Sequence, residues 1–177
     1  MSHPTPLTRS LESILLRELD SLRRELEAFP DERLIWSRPA GLPNSAGTLT
    51  LHLAGNLRHF IGAVLGGDGY VRDREHEFSA AGISRHELIE RIGAAETAIK
   101  DVLPRLTEAR LAETFPVPIL DHSIETGELL LQLSVHLAYH LGQVSYHRRM
   151  VTGDPRGVGA LSAAELSTAR PTLPPSD

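Results

Sequence analysis

Leu11, Leu15, Leu19, Leu22, Leu26 and Phe29 recur at spacings of three and four along the first part of the chain. That period places them on one face of an α-helix and predicts a first helix from about Leu7 to Phe29, stopped by Pro30 and Asp31. A helix apolar on one face must bury that face against something, and three further segments offer partners. Ser45 or Thr48 can cap a second helix that runs to about Leu65 and ends at Gly66-Gly67. Ser84 followed by Glu87 is a capping-box pattern, opening a third helix with Leu88, Ile92, Ala95, Ile99, Val102 and Leu103 on one side. A fourth runs from about Thr126 to Val151 and is stopped by Gly153-Asp154-Pro155. Leu161 to Ala169, with Ser162 and Glu165 in capping-box register, reads as a short fifth helix.

Trp36 to Gly47, with Pro39, Gly41, Pro43 and Asn44, is a loop, and Trp36 beside it reads as a core anchor. Asp68 to Ala81 reads as a polar, charge-rich connection. Pro116 and Pro118 among alternating apolar residues predict a short extended excursion, a small hairpin, before the last long helix. The expectation is an all-α four-helix bundle, one domain over residues 1–170 with a flexible tail at 171–177. The chain has 177 residues, a length that supports one sizeable core.

Composition excludes several functions. The net charge of −5 argues against a nucleic-acid binder that depends on a basic surface. No apolar run reaches the roughly 20 residues that span a bilayer, so no membrane partner is expected. The opening MSHPTPLTRS lacks the apolar core of a signal peptide, which points to the cytoplasm. Without cysteine there are no thiolate ligands and no Cys nucleophile.

The chemistry concentrates on two helices. His136 and His140 lie one helical turn apart in HLAYHLGQ, and Gln143 shares their face. Chance alone yields about 0.45 such pairs for 9 His in this length, so spacing by itself decides nothing. Context adds weight, because Leu133, Val135, Leu137 and Leu141 mark a core helix and a histidine turned inward needs a hydrogen bond or a metal. A third ligand must come from another helix, and His52 in TLTLHLAGNLRHF is the best candidate. Three neutral imidazoles leave coordination positions open and the full charge of a divalent ion in place. Gln143 is a candidate to orient His140 or a bound water, equally readable as a buried amide. Asn56 and His59 share the His52 face and are pocket candidates, packing being the commoner role. His147, near the helix end beside Arg148 and Arg149, reads as solvated. Arg72 and Arg74 in YVRDREHEF are candidate carboxylate binders; a salt-bridged surface loop with Asp73, Glu75 and Glu77 is the commoner arrangement. Glu75, Glu77 and Asp121 are unranked candidate bases, and no catalytic residue is assigned beyond a metal-bound water.

Trp36-Ser-Arg-Pro39 before a Pro/Gly loop, then His52, then His136-x-x-x-His140-x-x-Gln143, together resemble the DinB/YfiT-like superfamily. HLAGNLRHFIGAVLGG and YVRDREHEFS are similar to a bacterial branch of it. The resemblance covers nearly the whole chain. It implies an up-down-down-up bundle, often a homodimer, with a divalent metal on His52, His136 and His140. Nickel or zinc is implied first, with iron or manganese as alternatives. Some relatives transfer or isomerise with low-molecular-weight thiols and others are described as metal-dependent hydrolases. The resulting expectation is a metal-dependent enzyme on a small-molecule substrate, by thiol transfer or hydrolysis. The alternative is a non-catalytic dimeric bundle that binds a metal or ligand.

Overall fold

The computed structural model describes residues 4–172. These residues form a helical bundle with no strand among them beyond two isolated β-bridges. Helix α1 spans Pro6–Glu27; Thr5 caps it by accepting from the Thr8 amide, and Pro6 occupies the first turn, where a missing N–H costs nothing. Its apolar series faces inward, with Leu11, Leu15, Leu19, Leu22 and Leu26 all buried. Helix α2, Ala46–Leu57, is capped by Ser45 and continues as a π-helix over Arg58–Leu65. Helix α3, Arg74–Ser79, lies within the segment that reads as a polar, charge-rich connection. Asp73 accepts from the His76 amide and starts that turn.

Helix α4 is Arg85–Val102, and the Glu87 amide donates to Ser84 Oγ at 3.2 Å, as the capping-box pattern requires. A short α5, Glu108–Ala112, leads into the excursion. There Thr114 pairs with Glu125 and Ile119 with His122, forming a small hairpin. Its tip places Leu120 and Asp121 at φ of 46° and 63°, a left-handed pair usually given to Gly or Asn. Helix α6, Thr126–Thr152, is the longest, and Gly153 at φ 69° ends it. The helix read over Leu161–Ala169 is instead a single 3-10 turn, Ala163–Glu165, without a side-chain cap. Its apolar residues are too few to bury a longer helix against the bundle. Part of the tail assigned to 171–177 lies outside the described residues.

Helix α1 packs on α4 and α6, and α2 packs on α3, α4 and α6, around one continuous leucine-rich core. Trp36 anchors the first loop: its Nε1 donates to the Ile83 carbonyl at 2.9 Å, and its ring sits 2.8 Å from where a Cβ on Gly47 would be. No helix among the described residues is long and apolar enough to cross a membrane.

His147 corrects its sequence reading. It is 3% exposed, and its Nε2–H donates to the Ser37 carbonyl at 2.8 Å. Burial holds its pKa below the usual value despite that bond. The first loop folds back over the helix end and covers it, which helical position alone does not reveal. A histidine depressed in the folded state stabilises fully above its unfolded pKa of about 6.5 and loses that contribution as pH falls through the folded value. Melting temperature is therefore expected to fall from pH 7 toward pH 5, and less steeply in His147→Gln; equal slopes in both proteins refute this role for His147.

Candidate metal centre

His52 sits mid-way along α2, while His136 and His140 sit one turn apart on α6, where α2 and α6 pack. Their ligand-capable ring nitrogens all lie within 4.8 Å of one another. His52 Nε2 is 3.2 Å from His136 Nε2. A tetrahedral ion with ligand bonds of about 2.0–2.1 Å needs ring nitrogens roughly 3.3–3.4 Å apart, so this pair is already at ligand separation. The donor set suits a borderline divalent ion.

The second nitrogen of two of these rings is held. His140 Nδ1 bonds to Gln143 Oε1 at 2.7 Å; the amide oxygen accepts, so the proton is on Nδ1 and the Nε2 lone pair is free. His52 Nδ1 lies 3.2 Å from Glu77 Oε2 and 3.2 Å from an Arg72 guanidinium nitrogen. Arginine only donates, so Nδ1 cannot serve both partners as an N–H donor. Arg72 already directs its Nε and a terminal nitrogen at Glu77, both at 2.7 Å. Nδ1–H therefore donates to Glu77, leaving His52 Nε2 as the ligand atom.

Burial disfavours protonation of the two α6 histidines. Burial, then the neighbouring His140, His52 and Arg72, push the His136 pKa down to about 4. Burial also lowers His140, against the raising effect of its Gln143 bond. Burial would raise Glu77, but bonds from Arg72 and His52 outweigh it and hold the carboxyl below its usual range. Glu77 is 5% exposed and ionised beside its two donors. Gly55 makes room for it, since a Cβ there would collide with the Glu77 carboxylate.

A cleft of about 360 Å³ opens beside His52 and His136, between α2, the hairpin and α6. Asn56, Arg72 and Arg74 line it.

Residues 10–159 match the family described as Protein of unknown function (DUF1572). The chain belongs to that family. The match includes all three histidines, Glu77 and Gln143. No curated protein and no solved structure matches the chain.

Within this family member, sequence-assigned residues divide. The three histidines and Gln143 come together. Asn56 reaches the cleft, but His59 is not among its lining residues. The wider π-helical turns that begin at Arg58 bring Phe60 to the cleft instead, and His59 packs edge-on against Phe60 with ring centroids 4.8 Å apart. Arg72 lines the cleft with its Nε and one terminal nitrogen bonded to Glu77. Arg74 lies over the Phe78 ring at 5.0 Å. Of the three candidate bases, Glu77 reaches the site, as the partner of His52. The contribution of Gly55 was missed, and only the gap at its Cβ position reveals it.

Proposed function

We propose that this protein is a metal-dependent enzyme on a DinB/YfiT-like, up-down-down-up four-helix bundle, acting on a small molecule by thiol transfer or hydrolysis. The carrying observation is the convergence of three imidazoles from two helices beside a cleft, with the second nitrogens of His52 and His140 held by Glu77 and Gln143. A divalent ion there would lower the pKa of a bound water or thiol and supply a nucleophile near neutral pH. Nickel or zinc fits the imidazole donors best, and iron or manganese are the alternatives. The protein's own residues do the rest. Glu77 and Gln143 orient two of the rings, burial keeps His136 unprotonated, and the apolar cleft wall limits water. The cluster contains no fourth protein ligand among the described residues, which favours an open, catalytic shell over a closed structural one.

Protein purified without a histidine tag is expected to carry about one divalent ion per chain. The spectrum of the cobalt-substituted form should shift when small thiols or carboxylates are added, as they enter the open positions. A cobalt spectrum indifferent to both would leave the non-catalytic bundle as the better reading.

We also infer a cytoplasmic homodimer. Leu131, Val135, Tyr139, Tyr146 and Met150 form an exposed stripe along α6, between 48% and 74% accessible. Gly142 in its middle has open space beyond its backbone. The five side chains are uncharged, and the flanking Arg149 guanidinium lies over the Tyr146 ring at 5.7 Å, so the stripe offers a mainly apolar face to a second copy. Light scattering should report a dimer at micromolar concentration, and a monomer for Tyr139→Glu/Tyr146→Glu with helix content unchanged. A monomeric wild type rejects the inference.

A further inference from the structure

The cleft beside the histidines has a chemistry of its own. Phe60, Pro118, Ile119, Leu120, Leu129 and Leu133 form its walls. Leu120, at the strained hairpin tip, is 87% exposed at the rim. No aspartate or glutamate lines it. Of its two arginines, Arg72 is spent on Glu77, whereas Arg74 makes no salt bridge among the described residues and only covers the Phe78 ring. Asn56 is 8% exposed, and its Oδ1 has no hydrogen-bond partner. A buried amide left unpaired is uncommon in a folded protein. Half a turn of the amide exchanges its donor and acceptor, so it can serve either kind of ligand group. A pocket of mostly apolar wall with a few convergent polar groups is the usual form of a small-molecule site.

We propose that this cleft selects a small monocarboxylate with an apolar body, of the size of phenylbutyrate. The body lies against Phe60, Ile119 and Leu133, Asn56 supplies a polar contact, and Arg74 supplies the positive charge that draws the carboxylate. Hydrophilic thiols and short acids leave the apolar walls uncovered and bind more weakly. This deepens the metal-enzyme reading and rests on it only for the ion as a second attraction on the carboxylate. The apolar walls, Asn56 and Arg74 stand without the ion.

The test is calorimetric titration of the full chain, metal-free and zinc-loaded, with phenylbutyrate, phenylbutyramide and acetate. Phenylbutyrate should bind at least about tenfold tighter than acetate, because acetate has no ring to bury. It should also bind about fivefold tighter than the uncharged amide, a preference that Arg74→Gln removes. Ile119→Ser should weaken phenylbutyrate and leave acetate unchanged, with melting curves confirming that both variants fold. Equal affinity for phenylbutyrate and acetate in both metal states overturns the proposal, as does a preference untouched by Arg74→Gln and Ile119→Ser. Selective binding by a protein that takes up no zinc would refute the metal reading and leave the cleft assignment standing. Zinc uptake without selectivity would do the reverse.

Discussion

Alanine at His136 or His140 is expected to weaken zinc binding by more than about a hundredfold, and the double variant should hold no stoichiometric metal. Loss of a side chain that only holds a ligand in place costs roughly 10- to 100-fold in affinity, and loss of the ligand itself costs more. Glu77→Gln and Gln143→Ala therefore belong in the smaller class. Each leaves three imidazoles but frees one ring to rotate or change tautomer, since Glu77 holds His52 Nδ1 and Gln143 holds His140 Nδ1. Competition with a chelating dye measures all five variants. The wild type should also gain thermal stability with zinc, by about 2.7 kcal/mol at a hundredfold excess over Kd, and the histidine variants should not. A double variant that keeps one zinc per chain would move the site elsewhere.

Arg148→Met is expected to destabilise the fold by about 3–5 kcal/mol, the range for removing one partner of a buried ion pair. Arg148 and Glu25 are each 1% exposed, and Arg148 Nε donates to Glu25 Oε2 at 2.5 Å, joining α6 to α1. A second guanidinium nitrogen donates to the Arg156 carbonyl, so the same side chain pins the segment after α6. Without the guanidinium, Glu25 is left charged in an apolar core. The double variant Glu25→Leu/Arg148→Met should lose less than the sum of its single changes, because it removes both charges together. Urea unfolding measures the cycle. A single-variant loss below about 1 kcal/mol would show that water reaches the pair.

The leucine spacing of α1, the Ser84 cap of α4, the Gly153 stop of α6 and the one-turn separation of His136, His140 and Gln143 were legible from the sequence. All are local relations, since a helix repeats every 3.6 residues and its face follows from nearby positions alone. The chain length and the apolar series also implied a helical bundle, because such faces have few other ways to be buried. What His52 meets was decided only in three dimensions. Glu77 reaches it from α3 across the space that Gly55 leaves, and pairs with Arg72 there. The π-helical turns at Arg58 exchanged His59 for Phe60 at the cleft, and the first loop buried His147. Arg148 and Glu25, distant in sequence, are likewise paired only where α1 and α6 enclose them. Each of these contacts depends on which backbones pack together and how closely. That is set by filling one core and pairing its buried charges at once, a condition no local pattern carries.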